Sequence, residues 1–438
     1  MDTVSYSKPI PITAACDIIV CGGGAAGFCA ALASARFGAK TCLIEKNNML
    51  GGIMTAGGNN DIGLFCAGEK QVISGIGWEF VNRLNEMGFA KIPEFKAGIT
   101  HSRQGVKVNI PMAAYLMDTM CLEEKVDLLF GATIVDVLKQ DDSWLVIYAK
   151  KGRLCAVLGK YVIDCTGDGD ASVCAGANYE LGESSGNTSL QPGTLRFFPS
   201  TFEATDISKE EMRNNMVEQI QNGSLIKSDF WPGAAGDPRE IFTHHGDNIN
   251  HVEINSDYEQ RAEEIEIEGR RSLARVTNWV KKNFPSKKDF SMEYLCDGVA
   301  YRETRRVRCD YYITVDDYVS AKKWEDSICY AYYPVDLHQH EKTSSKNVHQ
   351  IHLDTEHIPT IPLRALIVAG LDRFLVAGRC VSSDRLANSA LRVKAPCMAM
   401  GQAAGSAAAL ALRYKTDVRN IDIHELKTAL SDSGCIVP

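Results

Sequence analysis

Apolar positions early in the chain come as short unbroken runs on either side of an alanine-rich stretch. Asp17–Cys21 is a β-branched run that predicts a buried parallel strand, Ala25–Phe37 predicts a helix, and Lys40–Glu45 predicts a second strand closing in a carboxylate. Gly77–Met87, stopped by Gly88, and Pro111–Glu124 repeat apolar residues at helical spacing. From Asp127 the period shortens to that of strands: Asp127–Phe130, Ile134–Lys139, Trp144–Ala149, Leu154–Leu158 and Tyr161–Asp164, with turns at Asp141-Asp142 and Lys151-Gly152. These predict a small meander leading into one last apolar strand. Between 180 and 350 the chain is more polar and aromatic, and a long charged helical pattern covers Asp257–Phe284. The closing third turns apolar again. Pro362–Val368 and Phe374–Ala377 predict strands, and Ala395–Leu412 predicts a helix with Pro396 in its first turn, where a missing N–H is no loss.

The succession of strand, Gly22, Gly24, Gly27, helix, strand and Glu45 is what a dinucleotide site needs. In the spacing G-x-G-x-x-G the first glycine makes a tight turn, the second admits a pyrophosphate and the third lets helix pack on strand. The helix start at Ala25 and Ala26 offers N–H groups and a positive dipole end to phosphates. Glu45, eighteen residues beyond Gly27, suits ribose hydroxyls and disfavours a 2′-phosphate. The glycines at 51, 52, 57 and 58 let backbone lie against something large and flat. Thr166-Gly167, at the carboxyl end of a predicted strand, stands where an open α/β sheet presents backbone to its ligand.

At 438 residues the chain has ample length for a buried core, and its 45% hydrophobic and 23% charged residues are those of an ordinary globular enzyme. The net charge of −8, with acids and bases interspersed, argues against nucleic acid and against a polybasic membrane patch. Fifteen scattered cysteines without a C-x-x-C pair argue for reduced thiols and against a zinc site or disulfide framework. The N-terminus lacks the pattern of a secretory signal, and Ala395–Leu412 is interrupted by Gln402 and Ser406, so no membrane span is expected. The expected setting is cytoplasmic.

Five blocks resemble a known family. They are Gly22–Gly58, Tyr161–Asp170 (with Cys165 where alanine is usual), Ala262–Val307, Tyr332–His338 and Phe374–Leu412, in family order across nearly the whole chain. The chain resembles the FAD-dependent oxidoreductases of the glutathione-reductase-like superfamily, and more narrowly its FAD_oxidored group. Asp384–Asn388 departs from the His or Glu with Gly that the group often has there. The resemblance implies FAD and an α/β fold: a Rossmann-type FAD-binding domain with a β-meander, plus a mixed α+β substrate or cap domain. The expected division is 14–180 and 356–415 for the FAD-binding domain, 181–355 for the cap, and a C-terminal segment at 416–438. The cofactor positions expected are Gly22, Gly24, Ala25, Ala26, Gly27, Glu45, Lys46, Gly51, Gly52, Thr55, Ile134, Thr166, Gly167, Gly378, Arg379, Arg392 and Gln402.

FAD would carry the redox chemistry, leaving the protein to supply a proton carrier and cations for an anionic substrate. His338 is the first candidate acid–base group, because imidazole titrates near working pH; its alternative is a structural histidine at a domain junction. Of the other histidines, His244-His245 reads as a surface or cap pair. Arg302, Arg305, Arg306 and Arg308 crowd one segment. On a strand, Arg302, Arg306 and Arg308 would share one face and leave Arg305 on the other, and an inward set would clamp a carboxylate or pair with Glu303 and Asp310. Arg305 and Arg392 join His338 as the residues expected to serve catalysis. With a single G-x-G-x-x-G, a disulfide reductase with its own NAD(P)H domain is disfavoured.

The function expected is oxidation of a C–OH or CH–CH bond of a small polar substrate, or the reverse, by hydride transfer through flavin N5. The partners are that substrate and an electron acceptor or donor, with a homo-oligomer left open. A flavin monooxygenase using NAD(P)H transiently and a non-catalytic FAD-binding module are the alternatives.

Overall fold

The computed structural model describes residues 4, 7–99, 101–183, 189–200, 206–230, 237–243, 250–340 and 348–438. At its centre lies a five-stranded parallel sheet in the order Phe374–Val376, Tyr161–Asp164, Ile18–Cys21, Thr41–Ile44, Asp127–Leu129. All but the last of these strands are buried along their whole length, which is why they read as unbroken apolar runs. Alternate side chains serve opposite faces. Ile18, Val20, Leu43 and Ile163 pack with the helices, whereas Ile19, Cys42, Ile44 and Val162 pack under the meander. This is an α/β fold built on a Rossmann-type sheet.

The meander forms as its alternation predicts, from Thr133–Gln140, Ser143–Lys150 and Arg153–Gly159 in antiparallel pairing. A strand the sequence pattern did not show, Ile12–Ala15, joins its edge in parallel. Two other elements differ from expectation. The strand expected over Pro362–Val368 is Thr360–Pro362, ending in a 3-10 turn over Leu363–Ala365. Leu363, Ala365 and Leu366 are buried in that turn, so the run is apolar without being extended. Asp384 caps an unanticipated helix, Arg385–Leu391, by accepting the Ala387 N–H at 2.7 Å.

Among the described residues, the buried members of a separate apolar core all lie between Leu190 and Val299, including the buried side of the helix Ala262–Asn283. Residues from Ile313 to Leu366 instead pack into the core of the central sheet and its helices.

The helix Lys394–Tyr414 is the one described helix long and apolar enough to cross a bilayer, yet 94% of its most apolar window is buried inside the fold. Its neighbour is the helix Ala25–Arg36. A Cβ on Gly401 would fall 2.0 Å from the Ala26 carbonyl oxygen, and one on Gly405 would fall 2.3 Å from that of Ala30. Both contacts climb four residues together, so the two helices run parallel at backbone contact. Lys394 lies seven residues before Gly401, so it stands about 10 Å further along the axis than Ala26. Gly405→Ala is expected to cost about 1–3 kcal/mol or more through overpacking, read as a lower thermal unfolding midpoint. An unchanged midpoint would mean that the helices have room between them.

Candidate active site

The turn after Ile18–Cys21 requires its glycines. Gly22 has φ +96°, and a Cβ there would lie 2.5 Å from the Cys165 carbonyl oxygen; one on Gly27 would lie 1.8 Å from that of Gly22. Gly24 is the opposite case. A Cβ on it meets nothing within 4 Å, and no side chain caps the helix it begins. Its open side faces a cavity of about 1640 Å³, also lined by Gly22, Ala25, Ala26, Lys46, Gly52 and Thr166. Most ligand pockets are roughly 300–1,000 Å³, so this one has room for more than one molecule.

Glu45 lines that cavity almost wholly buried, and its carboxylate fastens the loop: Gly23 N–H donates to Oε2 at 2.6 Å and Asn47 N–H to Oε1 at 2.8 Å. At the end of the neighbouring strand, buried Asp164 accepts four hydrogen bonds, from the N–H and hydroxyl of both Thr166 and Ser172. That arrangement fixes the Thr166-Gly167 turn at the cavity wall. Arg379 donates to Asp168 Oδ1 at 2.6 Å and to Thr304 Oγ1 at 2.8 Å. Burial would raise the Asp168 carboxyl, but Arg379 and Lys46 outweigh it and hold the group below its usual range.

Several expected cofactor positions stand back from the cavity. Gln402 Oε1 instead accepts the Ile76 N–H at 2.7 Å, capping the helix Ile76–Glu86 from a distance. Thr55 donates to the Leu50 carbonyl and packs against Gly51, so both shape the loop from within. Ile134 packs against the meander core.

Among the residues expected to act in catalysis, Arg305 lines the cavity, but its guanidinium is taken by Asp170, by Glu259 at 2.9 Å and by the Asp168 carbonyl at 2.8 Å. The predicted sharing of faces also fails. The extended pair is only Arg306–Val307, so Arg302 and Arg305 both reach the cavity, while Arg306 pairs with Glu303 and Arg308 with Glu180.

His338 lies on the strand Val335–His338 with Nε2 3.0 Å from Asp336 Oδ2 and Nδ1 3.3 Å from His251 Nε2. Burial and the charge of Arg302 push it down to about 4 against the pull of Asp336, so it is neutral at pH 7. A carboxylate only accepts, which places the proton on Nε2 and makes Nδ1 the acceptor of the His251 N–H. Both ring nitrogens therefore have protein partners, an arrangement that suits positioning more than proton delivery. Burial would raise Asp336, but hydrogen bonds from His338 and Gln350 and the charge of Arg392 hold it well below the usual range. His244 and His245 lie outside the described residues.

Sequence reasoning missed Lys394. It is the first residue of its helix, 8% exposed, lines the cavity and donates to the Asp61 carbonyl at 2.5 Å. Burial pushes its ammonium down to about 7, with Asp61 pulling against the shift and Arg196 adding to it. A lysine at a helix start also opposes the dipole. Its place within the conspicuous block before Pro396 was the only signal in the sequence.

A family model described as FAD dependent oxidoreductase matches residues 17–430. The chain belongs to this family. The flavoprotein is accordingly an enzyme whose cofactor is FAD, and its residues fit the group. The uncapped helix start and the open side of Gly24 provide a cradle that a side chain would fill. A search of curated proteins finds no match. Among solved structures, a geranylgeranyl bacteriochlorophyll reductase-like protein from Thermoplasma acidophilum is 13% identical, over 96% of this chain and 84% of that one, with a TM-score of 0.44. An anhydrotetracycline hydroxylase from Streptomyces rimosus is 9% identical over 96% and 66%, at 0.42. A flavoprotein/dehydrogenase from Cytophaga hutchinsonii is 14% identical, at 0.31 over 42% of this chain; the flavoprotein spans 46% of its length. None of these likenesses speaks for a substrate.

Lys394 has a stability signature. Its unfolded pKa is about 10.4. Below pH 7 the ammonium is charged in both states and the folded chain bears the full cost of burying it; from 7 upward the folded chain sheds the proton, and the cost is gone above about 10.4. Lys394→Met should therefore raise the unfolding midpoint more at pH 6 than at pH 10. An equal change at both would put the ammonium in water.

Proposed function

We propose that this flavoprotein oxidises a C–OH or CH–CH bond of a small polar substrate, or runs the reverse reduction, and exchanges electrons with a separate acceptor or donor. The observation that carries the reading is one cavity shared by two kinds of wall. The glycine turn, Lys46 and Thr166-Gly167 line it, and so do Arg302, Tyr333, Arg392 and Lys394. Bound FAD supplies the two-electron step as hydride acceptance or return. The glycine turn, the helix start and Lys46 would hold its diphosphate, with Glu45 at the ribose.

Removing a hydride from a carbinol or saturated carbon also releases a proton. Lys394 is the residue to take it, because burial poises its amine near neutrality and its donor contact with the Asp61 carbonyl fixes the nitrogen at the cavity wall. His338 acts one step back. It holds Asp336, whose backbone carbonyl accepts from Arg392 at 3.5 Å.

Anaerobic mixing of the FAD-loaded enzyme with a panel of small alcohols and saturated acids tests this through loss of the flavin absorption. A substrate should bleach the band without NAD(P)H, with a rate limb near pH 7. Lys394→Met should slow bleaching by about 10²-fold or more and remove that limb. Bleaching only by NAD(P)H would replace this reading with a monooxygenase or reductase.

A further inference from the structure

Four basic side chains from three stretches of the chain come together at the cavity: Arg196, Arg302, and the neighbours Arg392 and Lys394. Arg196, Arg302 and Lys394 are each 8% exposed. Three of them donate to neutral oxygens. Arg302 donates to the Pro192 carbonyl at 2.5 Å and to Thr194 Oγ1 at 2.9 Å, Arg196 to the Gly58 carbonyl at 3.2 Å, and Lys394 to that of Asp61. Buried charges of one sign repel, and Arg302 is pushed down by burial and then by Arg392 and Arg196.

Arg392 is the least satisfied of the four. Nη2 reaches only Gln191 Oε1 at 3.3 Å and the Asp336 backbone carbonyl at 3.5 Å. Nε has no partner, and Nη1 makes no hydrogen bond to any described residue. The nearby carboxylate of Asp336 is committed to His338 and Gln350. Arginine does not shed its proton under these conditions, so the guanidinium fork at the cavity stays positive and incompletely bonded. A planar fork with free donors matches the two oxygens of a carboxylate.

We infer that the substrate is a small carboxylic acid, its carboxylate gripped by Arg392 with Arg302 beside it and Lys394 within the same wall. This rests on the oxidoreductase reading and names the class of molecule that the site takes. It separates the anionic substrate end from the diphosphate end, since Arg392 precedes and Lys394 begins a helix whose start lies about 10 Å beyond the level of Ala26.

Calorimetric titration of the FAD-loaded enzyme, without turnover, tests it with acetate, glycolate, succinate and benzoate against the corresponding amides and inorganic phosphate, at matched ionic strength. At least one carboxylate should bind saturably while its amide does not. Arg392→Gln should weaken that binding by about 30-fold or more, as loss of a buried charged contact does, with Arg392→Lys recovering part of it. Should Arg392→Gln not fold, the wild-type comparison of acids with amides still decides. The inference falls if no carboxylate binds, if amides bind as well, if phosphate binds more tightly, or if Arg392→Gln loosens FAD without changing carboxylate affinity. Bleaching by a neutral alcohol with no carboxylate binding would remove the grip and leave the oxidoreductase reading. Carboxylate binding without bleaching by any acid bound would do the reverse.

Discussion

The helices Ala25–Arg36 and Lys394–Tyr414 come from opposite ends of the chain, and they run parallel in contact because Gly401 and Gly405 put no side chain between them. Everything at the site depends on that approach. It sets both helix starts on one cavity at a fixed axial offset. One start, uncapped at Gly24, is suited to phosphate; the other brings in Arg392 and Lys394. Interior side chains do not yield readily, so the offset behaves as a rigid distance.

Much of the electrostatics follows from taking charged groups out of water. Some are fully answered. Asp164 accepts four hydrogen bonds, Asp168 faces Arg379, and Arg305 is divided between two acids and a carbonyl. These hold the turns that line the cavity. Arg392 is not fully answered: it reaches only the Gln191 side-chain oxygen and the Asp336 backbone carbonyl, and its Nε has no partner. The contrast within one cavity, satisfied acids beside the turns and an under-satisfied Arg392 just before the long helix, distinguishes framework from working surface better than any residue type does.

The sequence showed the fold wherever burial was continuous. Ile18–Cys21, Thr41–Ile44 and Tyr161–Asp164 are buried on both faces, and their composition says so. Ile12–Ala15 is mostly exposed and left no such trace, while the apolar residues after Pro362 fill a turn and imitated a strand. At the site, the glycine turn was legible because its chemistry is local. Roles that depend on contacts across the chain were not. The engagement of His338 comes partly from His251, 87 residues away, and that of Gln402 from Ile76. Lys394 reads as an ordinary charged residue until the fold closes over it.

The core between Leu190 and Val299 is filled by its own side chains. The residues it presents to the cavity, Arg196 among them, are thus carried by a scaffold whose interior is separate from that of the cofactor sheet. Drift inside one scaffold leaves the packing of the other intact. A lineage can re-cut the part of the substrate wall that this scaffold carries while the redox apparatus and the arginine before the long helix stay as they are, so divergence in what is recognised need not wait on change in how electrons are moved.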